Sequence, residues 1–462
     1  MAISILKDDP KKSSQLFKKR GECNEKLKQY QEAIDDATTA IKLDATNAGA
    51  YWNRALAYQS VKNYRAGIED YDKAIPFYKN STNNLSTLYK NRGYLKYKLE
   101  LLNESIKDDS MAVIINSKNG AAFWNRGSAY AELKQYQKAI DDYKTAVLYV
   151  DDKVAVAVLY DNIASNYNSL GQYSAAIVQE STAIAINPEM GEYYWNRGDY
   201  YQNNKDYQFS IDDFTKAIPF YKDKPAALSS LYNDKAYSEI WIDHLNEALK
   251  DNNLAINLNP KNRFAYWTRG IVTAKNGDHK QAGSWYLKAS ALYKDSPKNV
   301  AILYNARVAE EYYTKNADTL LAHCNEAISL NPLSYLAYYT RGKVYLKKLN
   351  QKSEAVKDFK KVIELDTSKK SISYVFSHYY IGENQFAVDA LKNVILSSNS
   401  DVDLSTAYYN MACLCALMNN TDAFTYLQSA ISKGYNKNYA ATDDDFDSIK
   451  NTAEFKRLIS SQ

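Results

Sequence analysis

The hydrophobic residues of this chain recur with helical spacing, and the spacing itself recurs along the sequence. Within residues 120–152, Phe123, Gly127 and Tyr130 lie four and three residues apart, which places them on one face of a helix. After a short stretch at 133–135 the same spacing returns on a second helix. Two short helices with one apolar side each cannot bury that side alone, so we expect successive helix pairs to stack.

A short aromatic segment marks the period of this pattern. In five copies its second residue is aromatic and is followed by Asn-Arg or Thr-Arg; these residues are Trp52, Trp124, Trp195, Trp267 and Tyr339. Their spacings are 72, 71, 72 and 72 residues. A weaker tyrosine segment, such as the one that begins at Tyr89, divides each interval, so units of about 34 and about 38 residues alternate. The pattern predicts an all-α chain without strands.

Small residues recur at fixed positions on both helices of the unit. Gly127 and Ala139 are twelve residues apart, and so are Gly198 and Ser210. Glycine within a helix costs about 1 kcal/mol relative to alanine. Because this cost is accepted repeatedly, we expect the two helix backbones to approach closely at these positions.

The unit resembles the tetratricopeptide repeat in its length, its aromatic, Gly, Tyr and Ala positions, and its closing Asn-Pro pairs at Asn187–Pro188, Asn259–Pro260 and Asn331–Pro332. The resemblance implies an α-α superhelix, a solenoid of antiparallel helix pairs. We expect an N-terminal arm, ten clear units in alternating 34- and 38-residue pairs, two degenerate units and a capping tail like that of many bacterial arrays, at 1–13, 14–370, 371–436 and 437–462 respectively.

The recurring arginine could suggest a ladder for phosphate groups. Sixteen residues after most of these arginines, however, stands an aspartate, as in the pairs Arg54 and Asp70, Arg126 and Asp142, and Arg197 and Asp213. This offset spans the two helices of one unit, so we interpret the pairs as structural ion pairs rather than ligand contacts. Arg269 is an exception, since Trp285 occupies the aspartate position.

The resemblance also implies a binding groove, because the first helix of each tetratricopeptide unit lines the concave face. The aromatic residues predicted to face this ligand-binding groove are Trp52, Tyr97, Trp124, Trp195, Tyr237, Trp241, Trp267, Tyr312 and Tyr339. Large side chains with few rotatable bonds and a polar tip are suited to anchor a peptide. In the alternative interpretation they only pack between neighbouring helices. If they bind, alanine at Trp124 and Trp195 should weaken partner capture with little effect on thermal unfolding.

Composition narrows the classes of partner. Tyrosine contributes 42 of 462 residues, and a repeat that demands aromatic residues explains much of that excess. A net charge of +4 without a basic stripe argues against a nucleic-acid partner, and the acidic run 443–445 is interpreted as a solvated surface.

No apolar run approaches the roughly 18 residues of a membrane span, so we expect no membrane insertion. The N-terminal sequence lacks the apolar core of a signal peptide, which favours the cytoplasm; secretion or a periplasmic location stays possible if a signal peptide was removed.

Candidate chemistry is sparse. The four Cys and four His show no zinc-ligand spacing, and the thiols are interpreted as free core residues. A Gly-rich phosphate loop, HExxH and GxSxG are all missing from the sequence. We therefore expect no catalytic residue, no metal and no cofactor. The sequence favours a non-enzymatic scaffold whose aromatic-rich concave groove binds a protein or peptide. The alternatives are a regulatory or sensor region of a signalling protein and a glycan-binding solenoid.

Overall fold

The computed structural model describes residues 9–293, 296–312, 315–398 and 401–460. Within those ranges the chain forms 26 α-helices and no strand, which confirms the all-α prediction. The structure divides after His244 into two compact units. Each unit is described by itself below.

The first unit contains six consecutive helix pairs and one further helix. They are α1 Pro10–Lys26, α2 Tyr30–Leu43, α3 Ala48–Ser60, α4 Tyr64–Ala74, α5 Thr82–Lys98, α6 Leu102–Ile115, α7 Gly120–Glu132, α8 Tyr136–Val147, α9 Lys153–Ser169, α10 Tyr173–Ile186, α11 Gly191–Asn203, α12 Tyr207–Ala217 and α13 Pro225–Trp241. Short 3-10 segments, Ile75–Tyr78 and Ile218–Tyr221, follow α4 and α12. Helix α1 begins inside the segment predicted as an arm, because Asp9 caps it by accepting a hydrogen bond from the backbone N–H of Lys12.

The second unit begins with one helix and continues with five helix pairs and a tail. The helices are α14 Leu245–Leu258, α15 Arg263–Lys275, α16 His279–Leu292, α17 Pro297–Glu311, α18 Ala317–Leu330, α19 Tyr335–Lys343, α20 Lys352–Leu365, α21 Ile372–Tyr380, α22 Asn384–Ser397, α23 Asp401–Leu417, α24 Asp422–Ser432, α25 Lys437–Thr442 and α26 Ala453–Ser460. A π-helical segment, Val344–Lys348, extends α19, and a 3-10 turn, Asp444–Phe446, lies between α25 and α26. We call odd-numbered helices up to α23 first helices and their even-numbered neighbours second helices.

Serine and asparagine tie one helix pair to the next. The Ser14 hydroxyl on α1 donates to the carbonyl oxygen of Ala40 at 2.7 Å and accepts from the side-chain amide of Asn47 at 2.8 Å. Asn47 also caps α3 by accepting from the backbone N–H of Ala50. Seventy-two residues later, Ser86 and Asn119 make the same contacts, so the cap of one helix pair is fixed to the body of the preceding pair.

One buried position on the second helices alternates between an aromatic ring and a polar or small group. In every second helix pair, the residue directly after the recurring aspartate position is aromatic and is fully or almost fully buried. These residues are Tyr71, Tyr143, Phe214, Tyr286 and Phe359. In the intervening pairs the buried residues at this position are Asp109, Glu180, Asn252 and Cys324. Aromatic and non-aromatic layers therefore alternate along the array.

The rings explain the recurring glycines better than backbone contact does. A Cβ atom on Gly198 would lie 2.6 Å from the Phe214 ring, and one on Gly127 would lie 2.8 Å from the Tyr143 ring. At Gly127 the backbone of the partner helix is also close, with the carbonyl oxygen of Ala139 at 3.3 Å. The predicted close approach of two backbones is therefore present at Gly127, but at both glycines the nearest atom belongs to a ring.

The recurring arginine joins three helices in several of the repeats. Arg126 on α7 donates from Nε and Nη2 to both carboxylate oxygens of Asp142 on α8, each at 2.7 Å, and from Nη1 to Ser110 on α6 at 3.2 Å. Arg54 and Arg197 make the equivalent contacts, with Asp70 and Thr38 and with Asp213 and Ser181, respectively. The arginine thus closes its own helix pair and binds the preceding one, a second contact that the sequence analysis did not anticipate.

Arg269 shows what replaces the ion pair where the aspartate is missing. Its guanidinium lies 5.4 Å from the centre of the Trp285 ring and donates to Asn253 on α14 at 2.8 Å. Burial lowers the pKa of Arg269. The contact with the preceding second helix is therefore kept, while a cation–π contact takes the place of the carboxylate.

Removing Arg54 should destabilise its helix pair. Arg54→Ala leaves the Asp70 carboxylate, which is 4% exposed, without its cation, so we expect a loss of about 3 kcal/mol in local stability. Arg65→Ala removes an exposed arginine from the same pair and should change stability by less than about 0.5 kcal/mol. Hydrogen exchange of the α3 and α4 amides measures both, and equal protection in the two variants would contradict the structural role of Arg54.

Candidate functional site

The first helices of the first unit form a continuous face through side-chain contacts between neighbours. Asn53 on α3 donates to the Lys18 carbonyl on α1 at 3.2 Å, and Asn125 on α7 donates to the Lys90 carbonyl on α5 at 3.3 Å. Asn196 on α11 reaches the Asp161 carboxylate on α9 at 2.9 Å. We call this surface, formed by the odd-numbered helices α1–α13, the first-helix face.

Four of the predicted groove residues in the two units are half-buried tryptophans that pack into their repeats. Trp52 and Trp195 meet Tyr78 and Tyr221 edge-on, with ring centres 5.4 and 5.2 Å apart. Trp124 packs against the cluster that contains Tyr143, and Trp267 packs against the cluster around Tyr286 and Leu303. These contacts favour the packing interpretation for all four residues.

Of the three other predicted residues of the first unit, Trp241 is exposed, while Tyr237 and Tyr97 are half-buried. Trp241 at the end of α13 is 42% exposed and stacks on Tyr207, and Tyr237 lies beside it with ring centres 6.0 Å apart. The hydroxyl of Tyr97 on α5 donates to Glu132 on α7 at 3.4 Å, and Lys98 lies over the Tyr97 ring at 5.5 Å. Trp241 is therefore the exposed residue among the predicted groove aromatics of the first unit.

The two remaining residues, Tyr312 and Tyr339, belong to the second unit and do not line an open groove there. Tyr312 is 6% exposed, and its hydroxyl donates to the carboxylate of Asp444 at 3.1 Å. Tyr339 is half-buried and packs near Phe359 with ring centres 6.0 Å apart. The C-terminal tail covers this part of the first helices.

The acidic run of the tail is not solvated, contrary to the interpretation from sequence. Tyrosine hydroxyls on first helices donate to it: Tyr409 to Asp443 at 2.8 Å and Tyr380 to Asp445 at 3.5 Å. The next residue, Phe446, is fully buried between Tyr409 and Phe455. The chain therefore places an acidic segment of its own against the first helices of the second unit.

Lys343 at the end of α19 and Lys347 in the π-helical segment that follows form ion pairs with the acidic run. Lys343 lies 3.5 Å from Asp444 and 3.9 Å from Asp445, and Lys347 lies 3.5 Å from Asp445. Burial alone would lower the pKa of Lys343, but Asp445 and its neighbours hold that pKa well above its usual value. Lys343 is therefore charged at neutral pH, and the tail is bound by complementary charge.

The same place brings a thiol close to two carboxylates. Ligand atoms of Cys413, Asp443 and Asp445 lie within 4.8 Å of one another, as a metal site would require. Burial raises the pKa of the Cys413 thiol well above its usual value, and Lys343 already supplies positive charge to the carboxylates. We therefore assign these groups to the tail contact. Of the other thiols, Cys324 and Cys415 are buried as expected, whereas Cys23 is exposed.

Asp445→Asn should loosen the tail. The substitution removes the charge that faces Lys343 and Lys347, so we expect cleavage by trypsin within residues 437–460 to be about tenfold faster. The matched variant Asp447→Asn removes an exposed carboxylate that pairs with Lys450, and it should leave the cleavage rate nearly unchanged. Identical rates for both variants would show that the acidic run does not hold the tail.

Comparison with known proteins identifies the repeat. The tetratricopeptide repeat family model matches residues 48–76, 121–149 and 335–369, three separate helix pairs. The chain contains tetratricopeptide repeats. The number of repeats and the bacterial character of the tail stay predictions.

Related proteins match parts of the array. Human tetratricopeptide repeat protein 6 is 27% identical over 327 residues, which cover 62% of this chain and 60% of that protein. Human mitochondrial import receptor subunit TOM70 is 26% identical over 297 residues, or 61% of this chain and 47% of the receptor subunit. A crystal structure of a tetratricopeptide repeat protein from Parabacteroides merdae aligns with a TM-score of 0.47 and 15% identity, covering 57% of this chain and 99% of that one. The chain thus spans less than two thirds of both relatives.

None of the described helices is long and apolar enough to cross a membrane.

The first-helix face of the first unit contains buried carboxyl groups. Asp234 on α13 accepts from the indole N–H of Trp195 at 3.1 Å, and burial raises the pKa of Asp234 to about 6. Asp199, one turn beyond Trp195 on α11, accepts no hydrogen bond from any residue that the structure describes. Burial, with the nearby charge of Asp234, raises the pKa of Asp199 to about 8.

Asp199 should give the first unit a pH dependence of definite sign. Its pKa is about 8 in the folded chain and about 3.9 in an unfolded one. Between these values the folded state binds more protons, so the free energy of unfolding falls as pH rises and levels off above about pH 8. Asparagine at position 199 cannot ionise, so the Asp199→Asn variant does not lose stability in this way as the pH rises. At pH 8 we expect its free energy of unfolding to exceed that of the wild type by on the order of 1–3 kcal/mol.

Thermal unfolding with local hydrogen exchange at pH 5 and pH 8 measures the difference. Asp223→Asn, which removes an exposed carboxylate from the same unit, should shift stability equally at the two pH values. The assignment fails if the gain of Asp199→Asn is as large at pH 5 as at pH 8.

Proposed function

We propose that this protein is a non-enzymatic scaffold that binds an extended segment of a partner protein along its first-helix face. The observation that carries the proposal is the tail of the second unit, where first helices hold an acidic segment through tyrosine hydroxyls and lysines. The same class of surface therefore already binds polypeptide within the chain. The tail covers this surface in the second unit, so the proposed partner binds the first unit.

Exposed Trp241, with half-buried Tyr237 beside it, supplies the proposed anchor of the first unit, and half-buried Tyr97 supplies a second. These side chains combine apolar area with a polar tip, which is the composition of energetic hot spots in protein interfaces. Trp52, Trp124 and Trp195 instead shape the face from within, through their contacts with the repeat core. The proposed anchors are therefore fewer than the nine groove residues predicted from the sequence.

The comparisons agree with a role in protein interaction. TOM70 is, by its name, a subunit of an import receptor, and it matches this chain over 297 residues. Because the chain spans only part of that protein, the likeness supports a protein-binding scaffold and does not specify its partner.

Selection from a library of random peptides displayed on phage tests the proposal with the full chain. We expect enriched peptides to bind Trp241→Ala at least about tenfold more weakly, because the substitution removes an exposed anchor. Phe209→Ala is the matched control, since Phe209 is 58% exposed but lies on a second helix. Equal loss in both variants, or the absence of any enriched peptide, would refute the proposal.

A further inference from the structure

The third and fifth repeats place different charges at equivalent positions. In the third repeat, Lys90 on α5 lies close to Asp109 on α6, which is fully buried, and the two attract each other. Asn125 of the next repeat donates to the carbonyl of Lys90. The buried carboxylate therefore has a cation beside it that the chain itself provides.

In the fifth repeat the cation is replaced by another acid. Counting 71 residues onward from Lys90, Asp109 and Asn125 leads to the equivalent residues Asp161, Glu180 and Asn196. The asparagine binds the equivalent residue through a different atom, because Asn196 donates to the side-chain carboxylate of Asp161 at 2.9 Å instead of to a backbone carbonyl. Asp161 and Glu180 thus form a pair of acids where the third repeat has a lysine and an acid.

The fifth-repeat pair has no cation of its own. Glu180 is fully buried, and its carboxyl group lies within hydrogen-bonding reach of Asp161 and Asn196. Burial, the charge of Asp161 and the hydrogen bond between the two acids raise the pKa of Glu180 to about 10, so the pair shares a proton at neutral pH. The nearest positive charge, Arg197, is already bound to Asp213 and Ser181. A cation that approached the pair would favour release of that proton, as Lys90 favours the ionised form of Asp109 in the third repeat.

The sixth repeat adds further polar groups around the pair. The residues Ala121 and Ala122 of the fourth repeat correspond to Glu192 and Tyr193 in the sixth. Glu192 is exposed, and its charge raises the pKa of Asp161 further, after the larger effect of burial. The Tyr193 hydroxyl is buried and makes no hydrogen bond within the part of the chain that the structure describes. The groups therefore run from an exposed carboxylate at Glu192, past half-buried Asp161, to buried Glu180.

We propose that Asp161, Glu180 and Glu192 form a subsite for a lysine side chain of the peptide partner, whose ammonium group takes the place that Lys90 holds in the third repeat. The subsite rests on the proposed function, since it lies on the same first-helix face. The carboxyl oxygens of Asp161 and Glu180 and the Tyr193 hydroxyl can accept the three hydrogen bonds that an ammonium group donates, and binding would release the proton of Glu180. The four-carbon stem of lysine would let the ammonium group reach inward past the exposed Glu192.

A metal ion fits these groups less well than an ammonium. Among the described residues, the one group of three potential ligands whose atoms lie within 4.8 Å of one another is the tail cluster at Cys413. The carboxylates of the fifth and sixth repeats therefore do not converge as ligands of a single ion would. They are spread along the face, as contacts to a long side chain would be.

Binding of synthetic peptides to the full chain tests the subsite. The probes are the peptides enriched on the first-helix face, made with an acetylated N-terminus and with lysine or norleucine at the selected position. We expect the norleucine peptide to bind at least about tenfold more weakly. Asp161→Asn should reduce the preference for lysine to less than about twofold, whereas Asp151→Asn, which removes an exposed carboxylate just before α9, should leave it unchanged.

Asp161→Lys recreates the charge pattern of the third repeat and supplies a second readout. We expect it to raise the thermal unfolding temperature, because a cation then faces Glu180, and to abolish the preference for lysine. Asp161→Asn tests the same preference without introducing a longer side chain, should the lysine variant fail to fold.

Each remaining outcome separates this subsite from the broader proposal. Enriched peptides without a lysine preference overturn the subsite alone, and the absence of any bound peptide overturns the proposed function with it. A lysine-free peptide with a free N-terminal amine that binds as tightly as the lysine peptide would assign the site to a chain terminus instead. Binding of Ca²⁺ alone that is lost in Asp161→Asn would assign it to a metal and overturn the lysine proposal.

Discussion

The arginine that recurs on most first helices makes the contacts on which the stacking of the repeats depends. A guanidinium group carries five N–H donors in a fixed plane, so Arg197 can bind both oxygens of Asp213 and still reach Ser181 on the preceding second helix. A lysine at this position could not reproduce that geometry. Because one side chain fixes both the closure of a helix pair and its registry with the previous pair, the first helices are held side by side. The contacts across the first-helix face, such as Asn196 with Asp161, depend on that registry.

The parts of the structure that repeat were accessible from the sequence. The pairing of Arg126 with Asp142 could be inferred because the sixteen-residue offset occurs in several copies, and each copy makes coincidence less plausible. The contact of the same arginine with Ser110 lies sixteen residues in the other direction and could have been found by the same comparison. A repeat therefore reveals its local contacts through recurrence, even when no single copy is informative.

Features that occur once were not accessible in this way. The hydrogen bond from Tyr312 to Asp444 joins residues 132 positions apart, and no spacing in the sequence points to it. The run at 443–445 has the composition of a solvated surface, and the facing lysines and tyrosine hydroxyls hold it against the first helices. Likewise, helical periodicity places Trp124 on a face of α7 but does not say how deeply the neighbouring Tyr143 will cover it.

The alternation of ring and non-ring layers constrains how such an array can change in length. The ring layers at Tyr143 and Phe214 are separated by the acidic layer at Glu180. Loss of the single repeat between them would bring two ring layers together and remove the acid pair, whereas loss or gain of two repeats preserves the order. A duplication of about 72 residues is therefore the smallest one that inserts without a mismatch of neighbouring layers. Natural or engineered variants of this array should accordingly grow and shrink in even numbers of repeats.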